Sequence, residues 1–94
     1  MSALLVGSIT VTDPAAWARY VQAVGATFAP HGGRVLGRGV LARSLAGEVA
    51  GERIVVVEFP DLAALTRWHD SPEYQALVPL REAGASVSLA AYEA

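Results

Sequence analysis

The hydrophobic pattern of the chain changes period several times. Residues 3–11, ALLVGSITV, are β-branched and almost continuously apolar until Thr12, Asp13 and Pro14 interrupt them, which predicts a buried strand. Asp13 stands where a helix N-cap belongs and Pro14 where the first helical residue belongs, so a helix follows. On it Trp17, Val21, Val24 and Phe28 recur at i, i+4, i+7 and i+11 as one stripe, with Tyr20 beside it. Pro30 and the glycines at 32 and 33 end that helix. Residues 34–43 then alternate as a strand does, and SLAGEVAGE at 44–52 reads as a hairpin connection. RIVVVEFP at 53–60 is another β-branched run closed by proline. Asp61 restarts a helix in which Leu62, Leu65 and Trp68 share a face. Ser71 and Pro72 repeat the cap-plus-proline signature, predicting a further helical piece from about 72 to 83 disturbed at Pro79, and SVSLAAY at 86–92 closes as a strand.

The element order is therefore β-α-β-β-α-β, an α+β, ferredoxin-like arrangement in one domain spanning residues 1–94. Such a fold puts both helices on one face of a four-stranded antiparallel sheet. Yet period-2 alternation gives apolar residues to both faces: Val55, Val57 and Phe59 against Ile54 and Val56, and Leu5 and Ile9 against Leu4 and Val6. The second face needs a cover, and the simplest is a second copy of the chain, which predicts a homodimer packed sheet to sheet.

Composition supports a covered surface, since 53% of the 94 residues are apolar and only 17% charged. The net charge of −2, with seven basic residues that do not cluster with aromatics, argues against nucleic acid as a partner. Without cysteine there is no disulfide, thiolate or thiolate-metal chemistry. No apolar run approaches the roughly 20 residues of a membrane span, and MSALLVGSITVTDP has no basic leader pattern, so the expectation is a cytoplasmic protein that does not enter membranes.

Candidate chemistry concentrates in HGGRVLGRG, residues 31–39. Simple alternation places Arg34, Leu36, Arg38 and Val40 on one face of the strand and Val35, Gly37, Gly39 and Leu41 on the other. If the small and apolar set lies under the helices, Arg34 and Arg38 point to the dimer-covered side, where Glu58 on the neighbouring strand can join them. With His31 nearby, two guanidiniums, a carboxylate and an imidazole would converge on an apolar cavity, the usual picture of a small-molecule site.

HGGRVLGRG, RIVVVEFP, SPEYQ at 71–75 and the following Arg81, in this order and spacing, resemble the bacterial family called domain of unknown function 1330. The resemblance covers nearly the whole chain and implies a dimeric α+β barrel. That superfamily holds cofactor-independent oxygenases, lactone isomerases, haem-degrading enzymes and proteins with no established activity, so the fold does not fix the chemistry. Two departures stand out: the family's Arg-Gly-Gly word reads Arg38-Gly39-Val40 here, and the chain ends in AAYEA where the family usually has Glu-Gly.

Each candidate has two readings. Arg34 and Arg38 bind an anion, or they form ion pairs with Glu58, Glu52 or Glu82. His31 moves a proton, with Glu58 as its orienting partner acid, or is loop material. Tyr74 and Arg81 line the ligand site, or they brace the SPEYQ turn against the sheet. His69 is a solvated or capping residue before it is an axial haem ligand, and two histidines without metal-ligand spacing imply no metal site. The expected function is that of a small-molecule-binding dimer, in its catalytic form a cofactor-independent isomerase or monooxygenase acting on an acidic or enolisable compound. The alternative is a non-catalytic dimer whose charged cluster serves the interface.

Overall fold

The computed structural model describes residues 1–94. The strands and helices run β1 (Ala3–Val11), α1 (Pro14–Phe28), β2 (Arg34–Val40), β3 (Arg53–Phe59), α2 (Leu62–Asp70), α3 (Pro72–Gln75), α4 (Val78–Gly84) and β4 (Ala85–Glu93), with a short 3-10 turn, Ala29–His31, after α1. The strands form one antiparallel sheet in the order β2-β3-β1-β4. This is the α+β, ferredoxin-like topology expected from the element order.

The predicted caps are in place. The Asp13 carboxylate accepts from the backbone N–H groups of Ala15 and Ala16, Asp61 from Ala64, and the Ser71 hydroxyl from Tyr74. The helical piece after Ser71 breaks earlier than expected, after Gln75. Pro79 gives the reason, because its ring conflicts with the carbonyl four residues back, that of Gln75. Within the first turn of α4 the same proline costs nothing, since no N–H is needed there. β2 ends at Val40, not at 43, and residues 41–52 form the long exposed connection of the β2–β3 hairpin. Its return is tied to the end of β1, where Glu52 N donates to Ile9 O at 2.9 Å and Val11 N donates to the Glu52 carboxylate at 3.2 Å.

All helices lie over one face of the sheet, on Ala3, Leu5 and Ile9 of β1 and Val57 and Phe59 of β3. Trp68 anchors this core, with ring centroids 4.2 Å from Tyr74, 5.2 Å from Phe28 and 5.6 Å from Phe59. Its indole N–H donates to Thr27 Oγ1 at 2.9 Å, so the buried polar atom is satisfied. The opposite face carries Leu4, Val6, Ile54, Val56, Ala90 and Tyr92 with no layer above them, and Ile54 and Tyr92 are 46% and 56% exposed. No helix is long and apolar enough to cross a membrane.

Candidate functional site: an apolar cavity with an arginine pair

The stretch 31–39 resolves into a turn and a strand with different tasks. His31 ends the 3-10 turn, and Gly32 follows in the left-handed region at φ 75°, donating its N–H to Ala29 O. Gly33 passes so close to the aromatic core that a Cβ there would lie 2.8 Å from Phe59. The glycine pair is thus a chain reversal packed on the core.

The strand that follows departs from simple alternation. Val35 pairs with Val57, but Gly37 pairs with Val56, so Leu36 is an extra residue in a β-bulge. Beyond it every side chain changes face. Arg34 stays with Glu58 on the open face, whereas Arg38, opposite Val55, and Val40, opposite Arg53, lie on the helix face. The expected convergence of Arg34, Arg38 and Glu58 on the dimer side is corrected accordingly. Arg34 Nη2 donates to Glu58 Oε1 at 2.8 Å on the open face, and Arg38 is on the other side of the sheet.

What Arg38 faces is a cavity of about 340 Å³ between α1 and the sheet. This falls at the lower end of the roughly 300–1,000 Å³ typical of small-molecule sites. Its helix wall is Trp17, Tyr20, Val21, Val24 and Phe28, its sheet wall is Leu5, Ile9, Val55, Val87 and Leu89, and Trp68 also lines it. Gly7, at the centre of that face, has no side chain, and Val55 and Leu89 from the flanking strands close over it. A Cβ there would come 2.9 Å from Val55 Cγ1 and 3.2 Å from Leu89 Cδ2. β2 is exposed along its whole length, so this edge is where solvent meets the cavity wall.

Arg38 and Arg53 are the charged residues of the lining, both cationic, and neither takes part in an ion pair. They sit on adjacent strands, offset diagonally, and both are exposed at the β2 edge of the cavity. Tyr20 brings a hydroxyl-bearing side chain to the helix wall. Its hydroxyl lies 3.1 Å from that of Tyr74, which accepts from Arg81 Nη1 at 2.9 Å. Burial pushes the Tyr20 hydroxyl well above the ordinary tyrosine range, and the Arg81 charge opposes the shift. Tyr20 is therefore a neutral O–H group at physiological pH.

Chemically, the pair of guanidiniums can hold a carboxylate or an ionised enol or phenol, and the apolar walls suit a hydrocarbon body. A family model described as a domain of unknown function, DUF1330, matches residues 2–94. The chain belongs to this family. Among solved structures, the DUF1330 chain is similar to RPA0582, a protein of unknown function from Rhodopseudomonas palustris. The TM-score is 0.82 at 22% identity, covering 99% of this chain and 82% of that one. It is also similar to SnoaB, a cofactor-independent oxygenase from Streptomyces nogalater, with a TM-score of 0.72, 18% identity and coverage of 99% and 92%. A dimeric ferredoxin-like protein of unknown function from Thermobifida fusca matches with a TM-score of 0.70, 14% identity and coverage of 100% and 92%. These likenesses establish the fold. No curated protein matches the chain.

The remaining candidates of the DUF1330 chain are spread out. His31 is half-buried in its turn and does not line the cavity. His69 is exposed on α2, its Nδ1 3.1 Å from Asp70 Oδ1. Tyr74 and Arg81 touch each other behind Tyr20 and not the cavity itself. Two lining residues escape a reading of HGGRVLGRG alone, Arg53 and the Tyr20 hydroxyl. Arg53 was visible in principle, since it shares parity with Val55, Val57 and Phe59 on the helix face of β3.

Proposed function

We propose that the protein binds a small, largely apolar organic acid in the cavity between α1 and the sheet, and that it does so as a homodimer packed through its open sheet faces. The observation that carries the first part is the pair Arg38 and Arg53, two cations without acidic partners in an otherwise apolar wall. The lining includes no carboxylate or imidazole to act as a general base. Binding is therefore the primary property, and in a catalytic version the reacting species is the ligand's own ionised enol or phenol, its charge held by the guanidiniums. The cofactor-independent oxygenase of the same fold is compatible with that version.

The second part rests on the apolar open face, and dimeric ferredoxin-like neighbours support it. On this reading Arg34 and Glu58 belong to the interface, which is where the alternative of an interfacial charged cluster finds its place. The deciding experiment is a thermal-shift titration with 2-naphthoate and its uncharged amide on wild type and Arg38→Ala. Binding to the native state raises the midpoint with ligand concentration. The expected result is a rise with the acid that the amide does not match and that Arg38→Ala loses, with the ligand-free midpoint nearly unchanged. No rise with the acid, or an equal rise in the variant, would sink the proposal.

A further inference from the structure

The hydrogen bonds behind the cavity run in one direction. Arg81 has only donors, so its contact of 2.9 Å with the Tyr74 hydroxyl fills an acceptor position there. Tyr74 is wholly buried, and its own O–H proton needs an acceptor; the Tyr20 oxygen at 3.1 Å is the one within reach. If Tyr20 donated to Tyr74 instead, the Tyr74 proton would be buried with nothing to receive it. The order is therefore Arg81 to Tyr74 to Tyr20. Tyr20's own proton is left over, on a side chain that lines the cavity.

We propose that Tyr20 is a ligand-orienting hydrogen-bond donor, set by the relay from Arg81 and Tyr74, and that the ligand carries an acceptor oxygen for it in addition to its acid group. This deepens the reading of the cavity as an organic-acid site and rests on it. The two recognition elements stand on opposite walls: guanidiniums on the sheet, the hydroxyl on α1. A ligand with an anionic group and a carbonyl, ether or hydroxyl oxygen on one flat body engages both, and the chemical class is an oxygenated aromatic or polycyclic acid. Tyr74 and Arg81 are positioning residues, since they reach the ligand only through Tyr20. A positively charged end to the relay polarises both hydroxyls toward stronger donation.

The test uses two probes of matched shape, 6-acetyl-2-naphthoate, which has a carbonyl acceptor, and 6-isopropyl-2-naphthoate, which has none. Affinities for the 94-residue chain are measured by fluorescence titration. Wild type is expected to prefer the acetyl probe by about threefold to tenfold, the equivalent of one net hydrogen bond. Tyr20→Phe is expected to bring the ratio to about one while leaving the isopropyl affinity in place. Because Tyr20→Phe alone strands the Tyr74 proton, the double variant Tyr20→Phe/Tyr74→Phe provides the same readout if the single variant does not fold. Tyr74→Phe alone is expected to lower the ratio without abolishing it, which a merely structural tyrosine would not do. If both probes bind and the ratio is one in wild type, or survives in the double variant, the relay proposal is overturned and the anion site stands. If neither probe binds wild type, the anion-site reading falls and the relay with it.

Discussion

Arg34 and Arg38 lie on one strand and face opposite ways, and so take up different chemistry. Arg34 is bound to Glu58 at 2.8 Å with its side chain 73% exposed, the kind of surface pair worth little to stability. Tyr20 is the residue whose burial has a thermodynamic signature. Its pKa is higher folded than unfolded, so its contribution is fully present below the unfolded value of about 10 and is lost as pH rises beyond it. The unfolded state then binds fewer protons than the native state, and stability falls by up to about 1.4 kcal/mol per pH unit for this one group. In Tyr20→Phe that arm is expected to flatten by about this slope, read from urea midpoints between neutral pH and the alkaline limit. Equal slopes in both proteins would remove Tyr20 as the cause. At neutral pH the variant is expected to lose about 1–3 kcal/mol, because the Tyr74 proton is left unpaired.

Among the elements, β2 is the one whose local signal and final geometry part company. As an edge strand it bonds on one side only, so it can take an extra residue without disturbing a second neighbour. Leu36 is that residue, and it reverses the parity of everything after it. Deleting Leu36 is expected to leave Arg38 opposite Val55 on the helix face, because the extra residue disappears and the pairing of β3 does not change. Affinity for 2-naphthoate should then stay within about threefold of wild type, a difference of well under 1 kcal/mol. A loss of tenfold or more would mean that the deletion shifts the register and carries Arg38 out of the cavity wall. The helix after Ser71 behaves more simply, since Pro79 alone decides where it breaks.

The whole molecule measures 32 × 30 × 16 Å, one sheet and one helix layer thick. Its accessible surface is 5656 Å², against about 5,200 Å² expected for a compact folded monomer of this mass. A thin slab with an apolar outer sheet face fits the proposed sheet-to-sheet dimer, and Val56 lies in the middle of that face, between Val6 and Gly37. Val56→Glu is therefore expected to sediment as a monomer with an unchanged far-ultraviolet spectrum, while wild type sediments as a dimer. A wild-type monomer at the highest soluble concentration, or a variant that remains dimeric, would place the contact elsewhere.

Much of this was written in the chain itself. Asp13, Asp61 and Ser71 with their following helices, the β-branched runs at 3–11 and 53–59 and the stripe on α1 depend on local hydrogen bonding and on fixed periods of 3.6 and 2, which need no distant partner to be recognised. The topology followed from their order. Tertiary structure alone decided which face Arg38 occupies, because a bulge is a mismatch between two strands and has no mark in either one. It also decided that Tyr20, Tyr74 and Arg81 form one relay, since the first two hydroxyls are brought together across 54 positions of sequence. And it made the cavity between α1 and the sheet, because an empty volume belongs to the packing of several elements and to no single stretch of residues.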